Sequence, residues 1–287
     1  MHSEAHVQVD AALYVVATPL GNLRDITLRA LDVLGAVDAV AAEDTRVTRR
    51  LMAHYGVRAP LLALHQHNEV RAAAEIVRRI QAGKAIAYVT DAGTPAVSDP
   101  GAILVARVRE AGLRVVPVPG PSALTAALSA AGVSAPHFLF YGFLPAKASA
   151  RQEALAILAP LPYRLIFFET PHRVGRTLAD MAEILGPERE LVVARELTKV
   201  FESFHRCSLG HALPWLSEDP NRSRGEFVLI VEGAAELPSH AQGAGEHALE
   251  VLLRELPLKQ SVQLAAAISG ARKNALYARA LELKRHA

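Results

Sequence analysis

Short apolar segments alternate with segments of helical periodicity, and this alternation limits the possible fold more than any other feature of the chain. Strands separated by helices of about ten residues need crossover connections, which place the strands parallel in one sheet. The near-continuous apolar character of the strand segments indicates a sheet covered on both faces. The predicted strands of this first series lie at 13–17, 37–42, 61–64, 85–90 and 114–118.

A second series of segments begins after Pro136 and has more adjacent strands than the first. Strand-like runs at 190–195, 201–206 and 227–232 have only one short helical pattern among them. Neighbouring strands with short connections pair antiparallel, so this part of the chain predicts a mixed sheet.

The C-terminal part differs in composition. A stretch rich in Pro, Gly, Ala and Ser at 233–245 is typical of a linker. Three helical patterns follow it, at 246–256, 258–268 and 272–285. We therefore predict two α/β lobes, residues 1–132 and 133–233, and a small helical appendage at 246–287.

The composition excludes several classes of protein. The chain has one cysteine, Cys207, which leaves neither an internal disulfide framework nor a cysteine-rich zinc site. No apolar run approaches about 18 residues, and the start lacks the regions of a signal peptide. We therefore expect a protein of the reducing cytoplasm, outside the membrane. The formal net charge is only +2, so any nucleic-acid-binding surface must be local.

Three loops rich in glycine, proline and small side chains follow predicted strands. They read T-P-L-G-N at 18–22, D-A-G-T-P-A-V-S-D-P-G at 91–101 and P-G-P-S-A at 119–123. Ligands of open α/β sheets bind at the carboxyl ends of the strands, and small residues let the backbone approach a ligand closely. The middle loop matches neither a P-loop nor G-x-G-x-x-G. The alternative is turn and cap chemistry, which accounts for Asp99 and Pro100 at a helix start but not for the eight residues before them.

The order of these loops, taken with two further strings, resembles a known family. E-D-T-R stands at 43–46 and F-F-E-T-P-H-R at 167–173. With the three loops they are similar to the tetrapyrrole-methylase superfamily of methyltransferases, and within it to the bacterial small-subunit (16S) ribosomal RNA methyltransferase I family. The resemblance covers residues 13–233, and the C-terminal helices are similar to that family's small RNA-binding appendage.

The resemblance implies an enzyme that uses S-adenosylmethionine to methylate the ribose 2′-hydroxyl of a cytidine in the decoding centre of 16S rRNA. It also implies a homodimer that acts on the rRNA or on the small ribosomal subunit. The cofactor is expected to lie folded in the cleft between the lobes. Carried over onto the matching positions, its binding residues are Leu20, Asp91, Gly93, Thr94, Val97, Ser98, Ser122 and Phe168. The sulfonium loses its charge during transfer, so shape and backbone groups suit this site better than a carboxylate held on the sulfur.

The motifs do not identify the group that takes the proton of the hydroxyl. Glu169 follows an apolar strand and is the first candidate, with a solvated strand-end carboxylate as the alternative. Glu43 follows the end of another predicted strand, whereas Asp44 beside it is better interpreted as a helix cap. Lys199 is a third candidate if it is buried, although an ion pair with a nearby glutamate is the commoner outcome.

Two clusters of basic residues are candidates for RNA contacts. Arg46, Arg49 and Arg50 lie on the helix that begins beside the cleft and offer guanidinium groups to phosphates. Arg272 and Lys273 begin the last helix after a turn of the helix-turn-helix type. The alternatives are a solvated helix face for the arginines and a surface helical cap for the appendage.

Two rival functions remain open at this point. One is a methyltransferase of the same superfamily that acts on a tetrapyrrole or another small molecule, for which the basic segments have no purpose. The other is a non-catalytic RNA-binding or ribosome-assembly factor. His65 and His67 have the spacing of a metal pair, but no third ligand is close in the sequence, so we predict no metal.

Overall fold

The computed structural model describes residues 9–65, 67–134, 136–234 and 240–285. Its first sheet has five strands in the order β3-β2-β4-β1-β5, and all neighbouring pairs are parallel. The predicted parallel sheet is confirmed. Its strands are β1 (Leu13–Val16), β2 (Ala39–Ala42), β3 (Leu61–Ala63), β4 (Ile86–Val89) and β5 (Val115–Val118).

Helices follow all five strands. They are α1 (Leu28–Ala36), α2 (Thr45–His54), α3 (Glu69–Gln81), α4 (Ala102–Glu110) and α5 (Ala123–Ala130). Successive residues of a strand face opposite sides, so Tyr14 packs with α1 and α2 while Leu13 packs with α3 and α4. Helix α5 differs, because its Ala127 packs against the second sheet. The chain therefore crosses to the second lobe before the second series of strands begins.

The second sheet is mixed, as predicted. Its order is β6-β7-β10-β8-β9; β6 and β7 are parallel, and the other pairs are antiparallel. Its strands are β6 (Phe138–Phe143), β7 (Arg164–Glu169), β8 (Glu190–Arg195), β9 (Ser203–Ser208) and β10 (Phe227–Val231). Helices α6 (Ala148–Leu158), α7 (Val174–Leu185) and α8 (Leu209–Glu218) cover the face opposite α5.

The C-terminal helices are α9 (His240–Leu252), α10 (Leu258–Ser269) and α11 (Lys273–Arg285), which share a small apolar core. Helix α9 begins six residues before the predicted start at 246, so 240–245 are helical and that part of the predicted linker is wrong. Gly245 explains the error. It is buried, and a Cβ added there would lie 2.7 Å from Ser269 Oγ and 2.8 Å from Ala271 Cβ. The glycine allows close helix packing, although in the sequence it resembles linker composition.

No helix of the described ranges is both long enough and apolar enough to cross a membrane.

Candidate active-site cleft

A cleft of about 330 Å³ lies where the carboxyl ends of β2 and β4 meet β7 and β10 of the second sheet. This size lies within the usual range of small-molecule sites. It is lined by Leu20, Glu43, Asp91, Ala92, Val97, Ser98, Asp99, Ala123, Phe143, Phe168, Glu169, Thr170, Leu197, Glu226, Phe227 and Val228.

Five of the eight residues assigned to the cofactor by resemblance line this cleft. They are Leu20, Asp91, Val97, Ser98 and Phe168. The other three are not among the lining residues: Gly93 and Thr94 join the loops that form the wall, and Ser122 precedes α5 without a side-chain cap bond. The eight residues assigned by resemblance thus lie together in the structure. Five form the surface of the cleft, and the other three lie in the loops behind that surface.

Backbone and side-chain bonds join the three glycine- and proline-rich loops. Thr18 and Gly93 exchange two backbone hydrogen bonds of 2.9 Å each, which tie the first loop to the middle one. Thr94 Oγ1 donates to the carbonyl oxygen of Pro121 over 3.0 Å and ties the middle loop to the third. Because each loop restrains another, the wall of the cleft is formed before any ligand arrives.

The middle loop adopts left-handed backbone conformations at several positions. Gly93, Ala96 and Ser98 have φ of 78°, 66° and 63°. For alanine and serine such a conformation costs on the order of 1–3 kcal/mol and persists only when the surroundings impose it. Across the cleft, Gly142 makes a bulge in β6, and a Cβ added there would collide with Ser98 Oγ. The two lobes therefore touch at the tip of this loop.

A buried carboxylate from another helix anchors the end of the middle loop. Glu69, at the start of α3, is 6% exposed, and its Oε1 accepts hydrogen bonds from the backbone N–H groups of Gly101, Ile103 and Leu104 over 3.0, 3.0 and 3.2 Å. The predicted cap at Asp99 and Pro100 is wrong, since α4 begins at Ala102 with Gly101 as its N-cap. A carboxylate at a helix N-terminus satisfies donors that have no partner within the helix.

The carboxylate of Glu169 is fully buried and engaged. Its Oε1 accepts from the backbone N–H of Thr170 over 2.8 Å and lies 3.3 Å from Arg173 Nε, while its Oε2 accepts from Thr177 Oγ1 over 2.6 Å. The side chain of Glu169 is 0% exposed. These contacts fix the turn between β7 and α7, so the geometry supports a positioning function for this glutamate.

Lys199 forms ion pairs with two glutamates. Its Nζ lies 2.8 Å from Glu196 Oε1 and 2.9 Å from Glu226 Oε2. Burial acts to lower the pKa of Lys199, but these two hydrogen bonds outweigh it and raise the pKa above its usual value. A lysine in this state carries a proton and cannot accept another. Its stem also packs on Gly21, where a Cβ would collide with it.

Three further carboxylates of the cleft have raised pKa values. Burial raises the pKa of Glu43, and the charge of Asp91 adds to the effect. Burial also raises the pKa of Asp91, whose Oδ1 accepts from the backbone N–H of Asp44 over 3.0 Å. The pKa of Asp99 rises to about 7, through burial first and then the charges of Glu43, Asp91 and Glu226. Asp99, whose pKa lies near neutral pH, is therefore a group of the cleft with an unusual ionisation.

The predicted RNA contacts lie in two places. Asp44 holds Arg46 through Nε at 3.0 Å and Nη2 at 2.6 Å, and this arginine keeps the pKa of Asp44 well below its usual range. Arg49 and Arg50 are exposed on α2. Arg49 also borders, with Arg58, a groove of about 720 Å³ beside β3.

The second group of predicted RNA contacts, Arg272 and Lys273, is exposed at the start of α11. Neither this group nor the α2 arginines are among the residues that line the cleft.

The histidine pair was the only metal candidate of the sequence. His65 and His67 lie with ring centroids 6.0 Å apart. Within the described ranges, no three His, Cys, Asp or Glu side chains are grouped in a way that could hold a metal ion.

Two family models match the chain. The model for Tetrapyrrole (Corrin/Porphyrin) Methylases matches residues 12–213, and the model for the RsmI C-terminal HTH domain matches residues 239–284. The second match begins one residue before α9 and covers α9, α10 and nearly all of α11.

Curated relatives match nearly the full length. A protein of Escherichia coli O157:H7 named ribosomal RNA small subunit methyltransferase I is 51% identical over 270 residues, which is 94% of each chain. A protein of Pseudomonas aeruginosa with the same name is 50% identical over 94% of this chain and 96% of its own.

Solved structures share the fold at low identity. The uroporphyrin-III-C-methyltransferase from Thermus thermophilus aligns with a TM-score of 0.55 and 22% identity, over 77% of this chain and 94% of its own. The cobalt precorrin-4 methyltransferase CbiF aligns with a TM-score of 0.58 and 19% identity, over 77% and 94%. At such identities the likeness concerns the fold alone.

Proposed function

Because this chain belongs to the ribosomal RNA small subunit methyltransferase I family of the tetrapyrrole methylases, we propose that it methylates small-subunit ribosomal RNA. The finer proposal is transfer to the 2′-hydroxyl of a cytidine in the decoding centre of 16S rRNA. Methylation of small-subunit rRNA is supported by 51% identity over 94% of both chains, together with a methylase domain and a C-terminal helix-turn-helix domain. The finer proposal comes from the resemblance of the sequence motifs. A homodimer is part of the proposal, and light scattering of the purified protein tests it.

The cofactor of this family is S-adenosylmethionine, and the chemistry of the cleft fits it. Leu20, Val97 and Phe168 give apolar surface for an adenine ring, and Glu43 and Asp91 give acceptors for an ammonium group and ribose hydroxyls. When bound, the cofactor supplies a methyl group on a sulfonium. The tied loops hold the cleft in one shape, and alignment of the reacting groups contributes much of the rate enhancement of such displacements.

The three acid–base candidates of the sequence have different proposed roles. Glu169 holds the β7–α7 turn through Arg173 and Thr177. The stem of Lys199 packs on Gly21 of the first loop. Its Nζ binds Glu196, in the turn between β8 and β9, and Glu226, at the start of β10. Both are therefore proposed as positioning residues. Glu43, another acid–base candidate of the sequence, has a carboxyl pKa that burial raises.

The proposed reaction has a direct chemical test. Purified protein with labelled S-adenosylmethionine should incorporate methyl groups into small ribosomal subunits or 16S rRNA. A 2′-O-methyl group blocks alkaline cleavage at its nucleotide, so the label should appear in an alkali-resistant dinucleotide whose first nucleoside is cytidine. Label in alkali-sensitive nucleotides would move the reaction to a base. No incorporation into either substrate would contradict the proposed function.

Replacing Arg272 and Lys273 together with alanine should weaken RNA binding. Each lost phosphate contact means that fewer counterions are released when RNA binds. The slope of log affinity against log salt should therefore flatten by about 0.7–0.9 for each contact. Filter binding of 16S rRNA fragments over a salt series measures this. The double variant Arg107→Ala/Arg109→Ala, which removes two exposed cations of α4, is the control. Equal slopes for the two double variants would make the appendage a structural cap.

A further inference from the structure

Residues 45–68 concentrate positive charge in one part of the chain. This segment contains four arginines and no aspartate or glutamate, although the formal net charge of the whole chain is only +2. Three of the arginines, Arg46, Arg49 and Arg50, lie on α2, and the fourth, Arg58, lies in the turn between α2 and β3. The segment is therefore a local basic surface of the kind that attracts a negatively charged partner.

Three of these guanidinium groups have no acidic partner. Arg49, Arg50 and Arg58 are exposed and form no salt bridge with another residue of the described ranges. On helix α3, by contrast, the carboxylate of Glu75 binds two arginines. The positive charge beside β3 is thus not neutralised within the described structure and is available to another molecule.

Arg49 and Arg58 border a groove of about 720 Å³. Met52, Val57 and Leu61 give it apolar surface, and none of its nine lining residues is acidic. The groove lies at β3, the edge strand of the first sheet, so no further strand of the described sheet covers it. It therefore combines a basic border with an apolar lining that is open to a partner.

The turn between α2 and β3 gives the groove its shape. Helix α2 ends at His54, and Gly56 follows with φ of 69°, a left-handed conformation that glycine adopts without strain. The backbone N–H of Val57 then donates to the carbonyl oxygen of Met52 over 2.9 Å, and the carbonyl oxygen of Pro60 accepts from the backbone N–H of Val40 over 2.8 Å. Because these bonds fix both ends of the turn, the groove is formed before a partner arrives.

Helix α2 connects this groove with the cleft. Its N-cap, Asp44, follows Glu43 of the cleft wall. The helix has 10 residues and ends beside the groove, a length of about 15 Å at a rise of about 1.5 Å per residue. Arg46 lies in the first turn of α2, and Arg49 and Arg50 lie one turn further on. Exposed positive charges therefore lead from the cleft to the groove.

A nucleic-acid backbone fits this arrangement better than a single small anion. It repeats a negative charge at every nucleotide, and guanidinium groups bind phosphate oxygens through two parallel hydrogen bonds. Proteins that hold single strands use a positively charged groove that follows the backbone. A strand with one nucleotide in the cleft can place the phosphates of the next nucleotides along α2.

We propose that the groove between Arg49 and Arg58 binds the phosphate backbone of the RNA strand that carries the target nucleotide, an inference that rests on the proposed function. The target nucleotide enters the cleft, and the strand continues along α2 into the groove. The groove contacts are remote from the methyl group that is transferred, so they stabilise the bound substrate and the transition state equally. They therefore lower KM and leave kcat unchanged.

The Arg58→Ala variant tests the charge of the groove. Its affinity for 16S rRNA or small subunits should fall about tenfold, the lower end of the effect of losing a hydrogen bond to a charged group. The slope of log affinity against log salt should flatten by about 0.7–0.9, and KM should rise while kcat is retained. S-adenosylmethionine binding in calorimetry and the melting temperature should not change, since Arg58 is exposed and outside the cleft wall. Arg109→Ala, at an exposed position of α4, is the matched control and should retain every parental value.

The Ala53→Leu variant tests the shape of the groove. Ala53 is exposed on α2 and lines the groove, and leucine adds bulk there without charge and with little cost to the helix. A strand displaced from the groove loses both arginines, so RNA affinity should fall by a factor comparable to that of Arg58→Ala. A general attraction of RNA to positive charge would not respond to this substitution. Ala106→Leu, at an exposed position of α4, is the matched control and should bind RNA like the parent.

The outcomes distinguish the two proposals. If the parent methylates RNA but Arg58→Ala and Ala53→Leu retain its KM and salt slope, the groove does not bind RNA and the proposed function stands. If both variants lose affinity for assembled small subunits but bind 16S rRNA like the parent, the groove contacts a protein of the subunit and the RNA assignment is overturned. If the parent transfers no methyl group to either substrate, the proposed function fails, and filter binding of the two variants to 16S rRNA alone decides whether the groove holds RNA.

Discussion

The Gly93→Val variant is expected to lose S-adenosylmethionine binding by at least about a hundredfold. Gly93 has φ of 78°, a conformation that a β-branched residue adopts only with strain, and an added Cβ would lie 3.3 Å from Leu20 Cδ2. Valine would therefore displace Leu20 or the loop, and would weaken the paired hydrogen bonds with Thr18. A hundredfold loss of affinity corresponds to about 2.7 kcal/mol. A free-energy cost of this size is within the range expected for a strained backbone position combined with displacement of Leu20.

The chain offers a matched control for this experiment. Gly112, after α4, has φ of 70°, and a Cβ added there meets nothing within 4 Å. Gly112→Val therefore introduces similar backbone strain away from the cleft. Both variants should lose comparable stability in thermal melts, but only Gly93→Val should lose the cofactor in calorimetry. Equal affinity in the two variants would show that the middle loop does not form the cofactor site.

The Glu69→Ala variant should destabilise the first lobe by about 3–5 kcal/mol. It leaves the backbone N–H groups of Gly101, Ile103 and Leu104 without their acceptor. Unsatisfied buried donors cost about 1–3 kcal/mol each, and relaxation of the loop recovers part of the sum. A melting temperature lower by on the order of 10 °C is the expected result for a domain of this size. Cofactor affinity should fall as well, since the anchored segment carries Val97 and Ser98 of the cleft wall.

Glu75→Ala is the control for this change on the same helix. Glu75 is partly exposed and pairs with Arg78 and Arg79 at the surface. Exposed pairs of this kind contribute about 0.3–0.5 kcal/mol, so its melting temperature should change by little. If Glu69→Ala melts like Glu75→Ala and binds the cofactor like the parent, the triple hydrogen bond does not hold the loop.

The fold was predictable because it follows from local pattern. Apolar segments such as 85–90 alternate with helical ones, and this periodicity leaves few arrangements other than a parallel sheet. The start of α9 was not predictable, because Gly245 has the composition of a linker and acts through close contact with Ser269. Such contacts arise between segments that are distant in the sequence.

The candidate site was also predictable only in part. The loop at 91–101 was singled out by its unusual density of small residues. Glu69 was missed because a glutamate in the first turn of a helix is common, and its acceptor role depends on α4 lying beside α3. Asp99 was interpreted as a cap because an Asp-Pro pair before a helix usually is one. Only the position of Asp99 among other carboxylates reveals its unusual ionisation.

The position of β1 between β4 and β5 has a consequence for synthesis of the chain. Leu13 lies opposite Ile86 of β4 and Val115 of β5, about 70 and 100 positions later. At translation rates of about 5–20 residues per second, β1 waits about 5–20 s for its second neighbour. Until β4 is made this apolar strand has unpaired N–H and C=O groups on both edges, and until β5 is made it has them on one edge. Unpaired edges are the condition under which nascent chains associate with one another or with chaperones. Within this sheet, β1 is thus made before the other four strands but is among the last to be fully paired.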